Sequence, residues 1–300
     1  MQNTPPMHVP DNNAQLRFKE WVPSDHTPWV SPAETIECAV RAGDLAKVAS
    51  LVADKSYSPD KYLERALIVA VRDGQLEIGR YLLDHGANME KPVLHIMPGS
   101  YASMEKSLPF FKLFVERGWD VNSIGHSRTA LFNVIRDYEF VTWLLAHGAD
   151  PNLGRVDNGI ISGGHLLDIA ALCSTVEIFD ELIAHGARLE DSLALHHAAA
   201  RSRGPTGDND TRIMARLLEL GVDINEPDDK GKPKNGSIGA PIYWSIRMNR
   251  ITNLKFLIEN GADLTVEAPY NCGTPLETAR AGGYTEIAKY LESLSPRELS

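Results

Sequence analysis

A near-identical helix ending occurs six times along this chain: Tyr81-Leu-Leu-Asp-His-Gly-Ala87, Leu113-Phe-Val-Glu-Arg-Gly-Trp119, Trp143-Leu-Leu-Ala-His-Gly-Ala149, Glu181-Leu-Ile-Ala-His-Gly-Ala187, Arg216-Leu-Leu-Glu-Leu-Gly-Val222 and Phe256-Leu-Ile-Glu-Asn-Gly-Ala262. The glycines, Gly86, Gly118, Gly148, Gly186, Gly221 and Gly261, stand 32, 30, 38, 35 and 40 residues apart. A unit of that length cannot enclose its own apolar face, so it must pack against copies of itself. Fold, stability and binding surface then follow from the period.

Each ending is preceded by a second helical run. Its clearest start is Gly273-Thr-Pro-Leu-Glu-Thr-Ala279, where Thr274 can cap the first amides and Pro275 occupies the first turn without harm. By alignment the equivalent first positions are Arg65, Met97, Thr129, His165, Leu193 and Ala240. From 65 to 86, 97 to 118, 165 to 186 and 240 to 261 the distance to the terminating glycine is 21 residues. Such constancy predicts two short helices joined by a tight turn. Glycine closes the second helix because the next residue adopts the left-handed conformation, costly for other residues. Segments such as Ala149-Asp-Pro-Asn152 and Val222-Asp-Ile-Asn225 then supply turn-forming side chains and lead into an extended finger.

With this pattern the chain resembles the ankyrin-repeat family, whose unit is a turn plus two helices of about 33 residues with a T-P-L-H-x-A start. The resemblance covers residues 34 to 294 and includes a first unit beginning Glu34-Thr-Ile-Glu-Cys-Ala39 and a last one from Thr274 to Leu291, eight units in all. It implies an all-α repeat solenoid of stacked helix-turn-helix units with β-hairpin fingers. The array would fill residues 33–294, between a leader at 1–32 and a tail at 295–300. Only the last copy keeps Thr-Pro-Leu together, and only the sixth keeps the family's histidine, at His196. The sixth unit is stretched by the polar insert 201–210, and the seventh finger is enlarged between Gly221 and Ala240. In the leader, Leu16, Phe18, Trp21, Val22 and Trp29 could cover the open edge of the first unit.

With 43% apolar and 23% charged residues the composition is that of a folded chain, and no run approaches the roughly 18 apolar residues of a membrane span. Prolines at 5, 6, 10, 23 and 28 interrupt the leader, which shows neither a signal peptide nor a transit sequence. A cytoplasmic or nuclear monomer is expected. Cys38, Cys173 and Cys272 lie far apart and read as free thiols. A formal charge of −10 disfavours nucleic acid, despite a local basic tip at Lys230, Lys232 and Lys234. A basic or neutral protein partner suits it better.

Catalytic and metal chemistry find little support. His85, His147 and His185 directly precede terminating glycines and suit helix C-termini, one unit apart and too distant to share a metal. His165, Asp168, His196 and His197, in the irregular fifth to seventh units, form the alternative candidate for an enzyme or a metal or small-molecule site, though without ligand spacing. No phosphate loop, nucleophile elbow or H-E-x-x-H helix occurs. Asn122, Asn152 and Asn225 match a position hydroxylated in some members of the resembled family, but are first of all good turn formers. No cofactor is expected.

The resemblance places partner binding in a concave groove, at the two residues before each inter-helix turn. These are Arg41 with Ala42, Arg72 with Asp73, Met104 with Glu105, Arg136 with Asp137, Leu172 with Cys173, and Arg247 with Met248. Arginine and methionine are favoured at interfaces. The resulting expectation is a non-enzymatic adaptor holding a partner protein.

Overall fold

The computed structural model describes residues 32–54, 59–89, 104–124, 128–153, 156–157, 160–161, 165–190, 192–202, 211–230 and 236–294. The leader and its aromatic residues lie outside this set, as does the tail. The described chain is helical, and most helices come in pairs: α1 (Pro32–Arg41) with α2 (Leu45–Ala53), and α3 (Pro59–Asp73) with α4 (Leu76–Asp84). α5 (Met104–Glu116) follows, then α6 (Ala130–Asn133) with α7 (Tyr138–Ala146) and α8 (His165–Cys173) with α9 (Val176–Ala184). The last pairs are α10 (Ala194–Ala200) with α11 (Arg212–Glu219), α12 (Pro241–Arg247) with α13 (Ile251–Glu259), and α14 (Pro275–Ala281) with α15 (Thr285–Ser293).

First helices pack on first helices, α1 on α3, α8 on α10, α10 on α12 and α12 on α14, while α2 packs on α4, α4 on α5, α7 on α9 and α9 on α11. The buried apolar side chains accordingly form one continuous core running from Ile36 to Leu291. Between α5 and α7, Phe111 meets Phe140 edge-on at 5.2 Å, and it lies 5.6 Å from Trp119. Trp119 is therefore core.

The six repeated endings close in one way. Beyond α7, Gly148 N–H donates to Leu145 C=O and Ala149 N–H to Leu144 C=O, the pair of bonds that satisfies orphan carbonyls at a helix C-terminus. The same pair recurs after Gly86, Gly118, Gly186, Gly221 and Gly261, and all six glycines have φ between 82° and 93°. A Cβ at any of them would meet no atom within 4 Å, so their requirement is conformational, not steric.

Asparagines then join one unit to the next. Asn122 Nδ2 donates to Gly148 C=O at 2.9 Å while its Oδ1 accepts from Asp150 N–H at 2.8 Å. Asn152 repeats this on Gly186 C=O and Arg188 N–H, and Asn225 Oδ1 accepts from Asp263 N–H. Each asparagine is itself held by the aspartate two residues before it, which accepts from its backbone N–H. The turn-forming expectation for these residues thus covers only their local bond. Their amides bridge units.

Two expectations need correction. Among the described residues the only β ladder is a pair of two-residue strands, β1 (Val156–Asp157) and β2 (Ile160–Ile161), so β-hairpin fingers are not a general feature. In the described turns after Gly118, Gly148 and Gly221, backbone groups are taken up by Asp and Asn side chains. Met104 and Glu105, expected to end a first helix, instead open α5. From Leu108 onward α5 matches the nine-residue second helices of other units, but the helix begins earlier, so Pro109 lies inside it and offers no N–H to the carbonyl of residue 105.

Replacing Gly148 by Ala should cost about 1–2 kcal/mol of stability in denaturant unfolding, the left-handed penalty for a residue with a Cβ. Gly148→Asn should cost visibly less, since Asn249 already holds φ 55° at the turn after α12. Asn152→Ala should cost about 1–3 kcal/mol by leaving the Gly186 carbonyl and the Arg188 amide without their partner. Hydrogen exchange at the Arg188 amide should accelerate in the same variant; unchanged protection would refute the bridge.

Candidate functional site

The ends of the first helices carry a recurring arginine, and its surroundings differ from unit to unit. Arg41, the last residue of α1, bonds to Glu37 at 3.1 Å; Glu37 is buried and also meets Arg65 at 2.9 Å. Arg72 and Asp73 close α3 and pair with each other at 3.0 Å, a bond that raises the Arg72 pKa. Arg280, on α14, is paired with Glu292 of α15 at 2.7 Å. Arg136 and Arg247 are exposed, and among the described residues neither pairs with a carboxylate. Each rests beside a cysteine of the following segment, Arg136 by Cys173 and Arg247 by Cys272, whose sulfur is 3.9 Å away.

Their sequence neighbours are split in role. Asp137 caps α7, accepting from Phe140 N–H at 3.0 Å, so its carboxylate is committed to the helix start. Met248 is 42% exposed, and Tyr138 is exposed with its hydroxyl on Glu181 at 3.1 Å. The side chains of Met104 and Glu105 lie outside the described residues.

The irregular middle of the chain brings together Asp168, His196 and the loop around Asp228. Asp168 is buried; its carboxylate accepts from Leu193 N–H at 2.6 Å, and burial is the main reason its pKa is pushed up to about 7. His196 is 3% exposed and its pKa is depressed to about 4, again mainly by burial. Its Nε2 lies 2.9 Å from Glu226 C=O, which makes Nε2 the protonated nitrogen. Asp228 anchors the enlarged seventh finger: it accepts from Ser237 Oγ, from Ile238 and Gly239 N–H, and from Trp244 Nε1 at 3.2 Å. These hydrogen bonds hold the Asp228 carboxyl below its ordinary pKa against the opposing effect of burial.

A register explains the first two residues. Asp168, His196 and Tyr243 each stand three residues after the first position of their unit, and each reaches the next segment. Asp168 reaches Leu193, His196 reaches Glu226, and the Tyr243 hydroxyl donates to the Val266 carbonyl. Three different side chains perform the same linking task, so Asp168 and His196 are first of all joints between units. His197 lies against Trp244 at 5.2 Å, whereas the His165 side chain is outside the described residues. Among the described residues no group of three or more His, Cys, Asp or Glu is placed to hold a metal. His85, His147 and His185 bond through Nδ1 to the carbonyl four residues earlier, at 2.8, 2.7 and 2.9 Å, and so help close their helices.

Sequence reasoning missed the cross-unit bonds at the inter-helix turns. Arg201, buried at the end of α10, donates to Ser174 C=O at 2.8 Å and towards Ala171 C=O; Asn253, buried on α13, donates to Ala198, Ala199 and Arg201 carbonyls. A polar residue at an otherwise apolar helical position, as Asn253 is within Ile251-Thr-Asn-Leu-Lys-Phe-Leu257, was the available signal. Comparison with protein-family models finds no match, and comparison with curated proteins finds none at the threshold applied. No helix among the described residues is long and apolar enough to cross a membrane.

The two shifted groups oppose each other in pH. Asp168, with a folded pKa near 7 against an ordinary 3.8, contributes stability fully at low pH and loses it as pH rises toward 7. His196, near 4 against 6.5, contributes fully above 6.5 and loses it as pH falls toward 4. Between about pH 4 and 6.5 their slopes cancel. Asp168→Asn should remove one of them, so that stability rises with pH across this window by up to about 1.4 kcal/mol per unit. Urea unfolding of both proteins at pH 4.5 and 6.5 checks this; parallel profiles would contradict it.

Proposed function

We propose that the chain is an ankyrin-type array of stacked helix pairs and that it acts as a non-enzymatic scaffold for a partner protein. Recurrence supports the architecture: six glycine-closed endings, asparagine amides reaching from one unit to the next, and first helices packed on first helices. Asp168 and His196 serve as joints between units, their bonds going to the backbone of the next segment.

Arg136 and Arg247 carry the reading of the binding face. Arg247 ends α12 and Arg136 lies in the turn after α6, both exposed and, among the described residues, without a carboxylate partner, while Arg41, Arg72 and Arg280 at related positions are neutralised within the chain. An arginine fork left open on a protein of charge −10 is suited to carboxylates of a bound segment, with Met248 and Tyr138 offering adaptable and aromatic contact area beside it. Rigid helix ends keep the ordering cost of association low.

Capture of partners from native lysate, with mass spectrometry of what is retained, tests this. The double variant Arg136→Glu/Arg247→Glu should keep the wild-type melting temperature and lose at least tenfold of the specific partner signal. Undiminished capture would move the binding face elsewhere, and no specific partner under any condition would remove the scaffold reading.

A further inference from the structure

A cleft of about 450 Å³ opens beside α11, between the short connection ahead of α10 and the enlarged finger that follows Gly221. Between Gly186 and Leu193 the chain is too short for a finger like the seventh, and the cleft lies beside this connection. Leu189, Leu217, Leu220 and Val222 line the apolar part. Among the described residues, the acidic Glu190, Asp223 and Glu226 and the basic Lys230 complete its lining. The volume lies in the range of small-molecule sites, and an apolar floor with a few convergent polar groups is their usual composition.

Two further observations concern the ligand. His196 forms part of the wall, is almost wholly buried, and donates from Nε2 to Glu226 C=O; its Nδ1 therefore carries a lone pair, with no bonding partner among the described residues. At the first position of this unit stands Leu193, which has no hydroxyl to offer that nitrogen. Its low pKa keeps the ring neutral, so the lone pair remains an acceptor at pH 7. Lys230, held at φ 49°, already sends its ammonium to the Glu190 carbonyl at the cleft lining. The polar side of the cleft thus accepts an ammonium within the chain itself.

We propose that this cleft binds a small aliphatic amine, its ammonium among Asp223, Glu226 and the His196 acceptor and its hydrocarbon stem on the leucine floor. An anionic ligand would meet three acidic residues in the lining, and an uncharged apolar one would bury the floor without satisfying the acceptor. A free alkylamine and a lysine side chain share this chemistry, and the volume of the cleft suits the free molecule. This site is distinct from the arginine positions at Arg136 and Arg247 and does not depend on the scaffold reading.

Titration of the full chain with hexylamine, hexanol and hexanoate, followed by amide and methyl NMR shifts around Leu217 and Val222, tests the proposal. Hexylamine should bind saturably, at least fivefold more tightly than hexanol, and hexanoate should show no saturable shift. Asp223→Asn/Glu226→Gln should bring hexylamine down to the hexanol level, and Leu220→Trp, filling the cleft from a half-buried position, should abolish both. Lys230→Ala, which removes the resident ammonium from an exposed side chain, should tighten hexylamine severalfold. A blocked lysine, acetylated on its α-nitrogen and amidated, should bind more weakly than hexylamine if the ligand is a free amine, and more tightly if it is a lysine side chain. No saturable hexylamine binding, equal binding of hexanoate, or binding indifferent to both cleft variants would overturn the proposal.

Discussion

One asparagine amide, bonded to the backbone on both sides of the residue that follows a glycine, is the contact on which the regular part of this structure depends. A helix ends with carbonyls that have lost their partners, and a left-handed glycine turns the chain so that two of them are taken by the next amides. The turn leaves Gly148 C=O and Asp150 N–H facing outward from the unit, and Asn122 of the preceding unit takes both. The same geometry returns at Asn152 with Gly186 and Arg188. Local closure of one helix therefore creates the docking edge for its neighbour, and packing between successive helix pairs acquires a register that apolar contact alone would not impose.

Where the local rule fails, tertiary bonds replace it. The turns after α1, α3 and α14 close on themselves through Gly43, Gly74 and Gly283, and the turn after α12 through Asn249 in the same left-handed conformation. Among the described residues none follows α8 or α10. There the exposed carbonyls are covered from the next unit, Ser174 C=O by Arg201 and the end of α10 by Asn253, with Arg250 Nε on Ala200 C=O. The irregular middle is thus cross-linked by polar side chains at its inter-helix turns, and the cleft lies beside α11.

Much of this was legible residue by residue. The Thr274-Pro275 start is a capped helix with Glu277 reaching back to the Thr274 amide, and each repeated Leu-rich ending is a helix closed by glycine. Less legible was what a given position does across the interface. Asp168, His196 and Tyr243 share one place in the repeat and one task, yet their chemistry has nothing in common that would align them as partners of a neighbouring backbone. Arg136 and Arg247 read as equivalent to Arg41 and Arg72, and only the carboxylates that fold against the latter two separate them.

The linear chain by itself determined where the repeated second helices end, though not where α3 and α5 begin, because caps and left-handed glycines act through bonds spanning a few residues. It also determined the period, and with it the need for one apolar face to be covered by the next. The tertiary structure alone decided which polar groups are used up in joining units and which stay available, since that depends on partners some 25 to 55 residues away, such as Leu193 for Asp168 and Ala198 for Asn253. Burial then sets the charge state, as in Asp168 and His196, whose pKa values move toward the neutral form because the fold removes water that an isolated segment would keep.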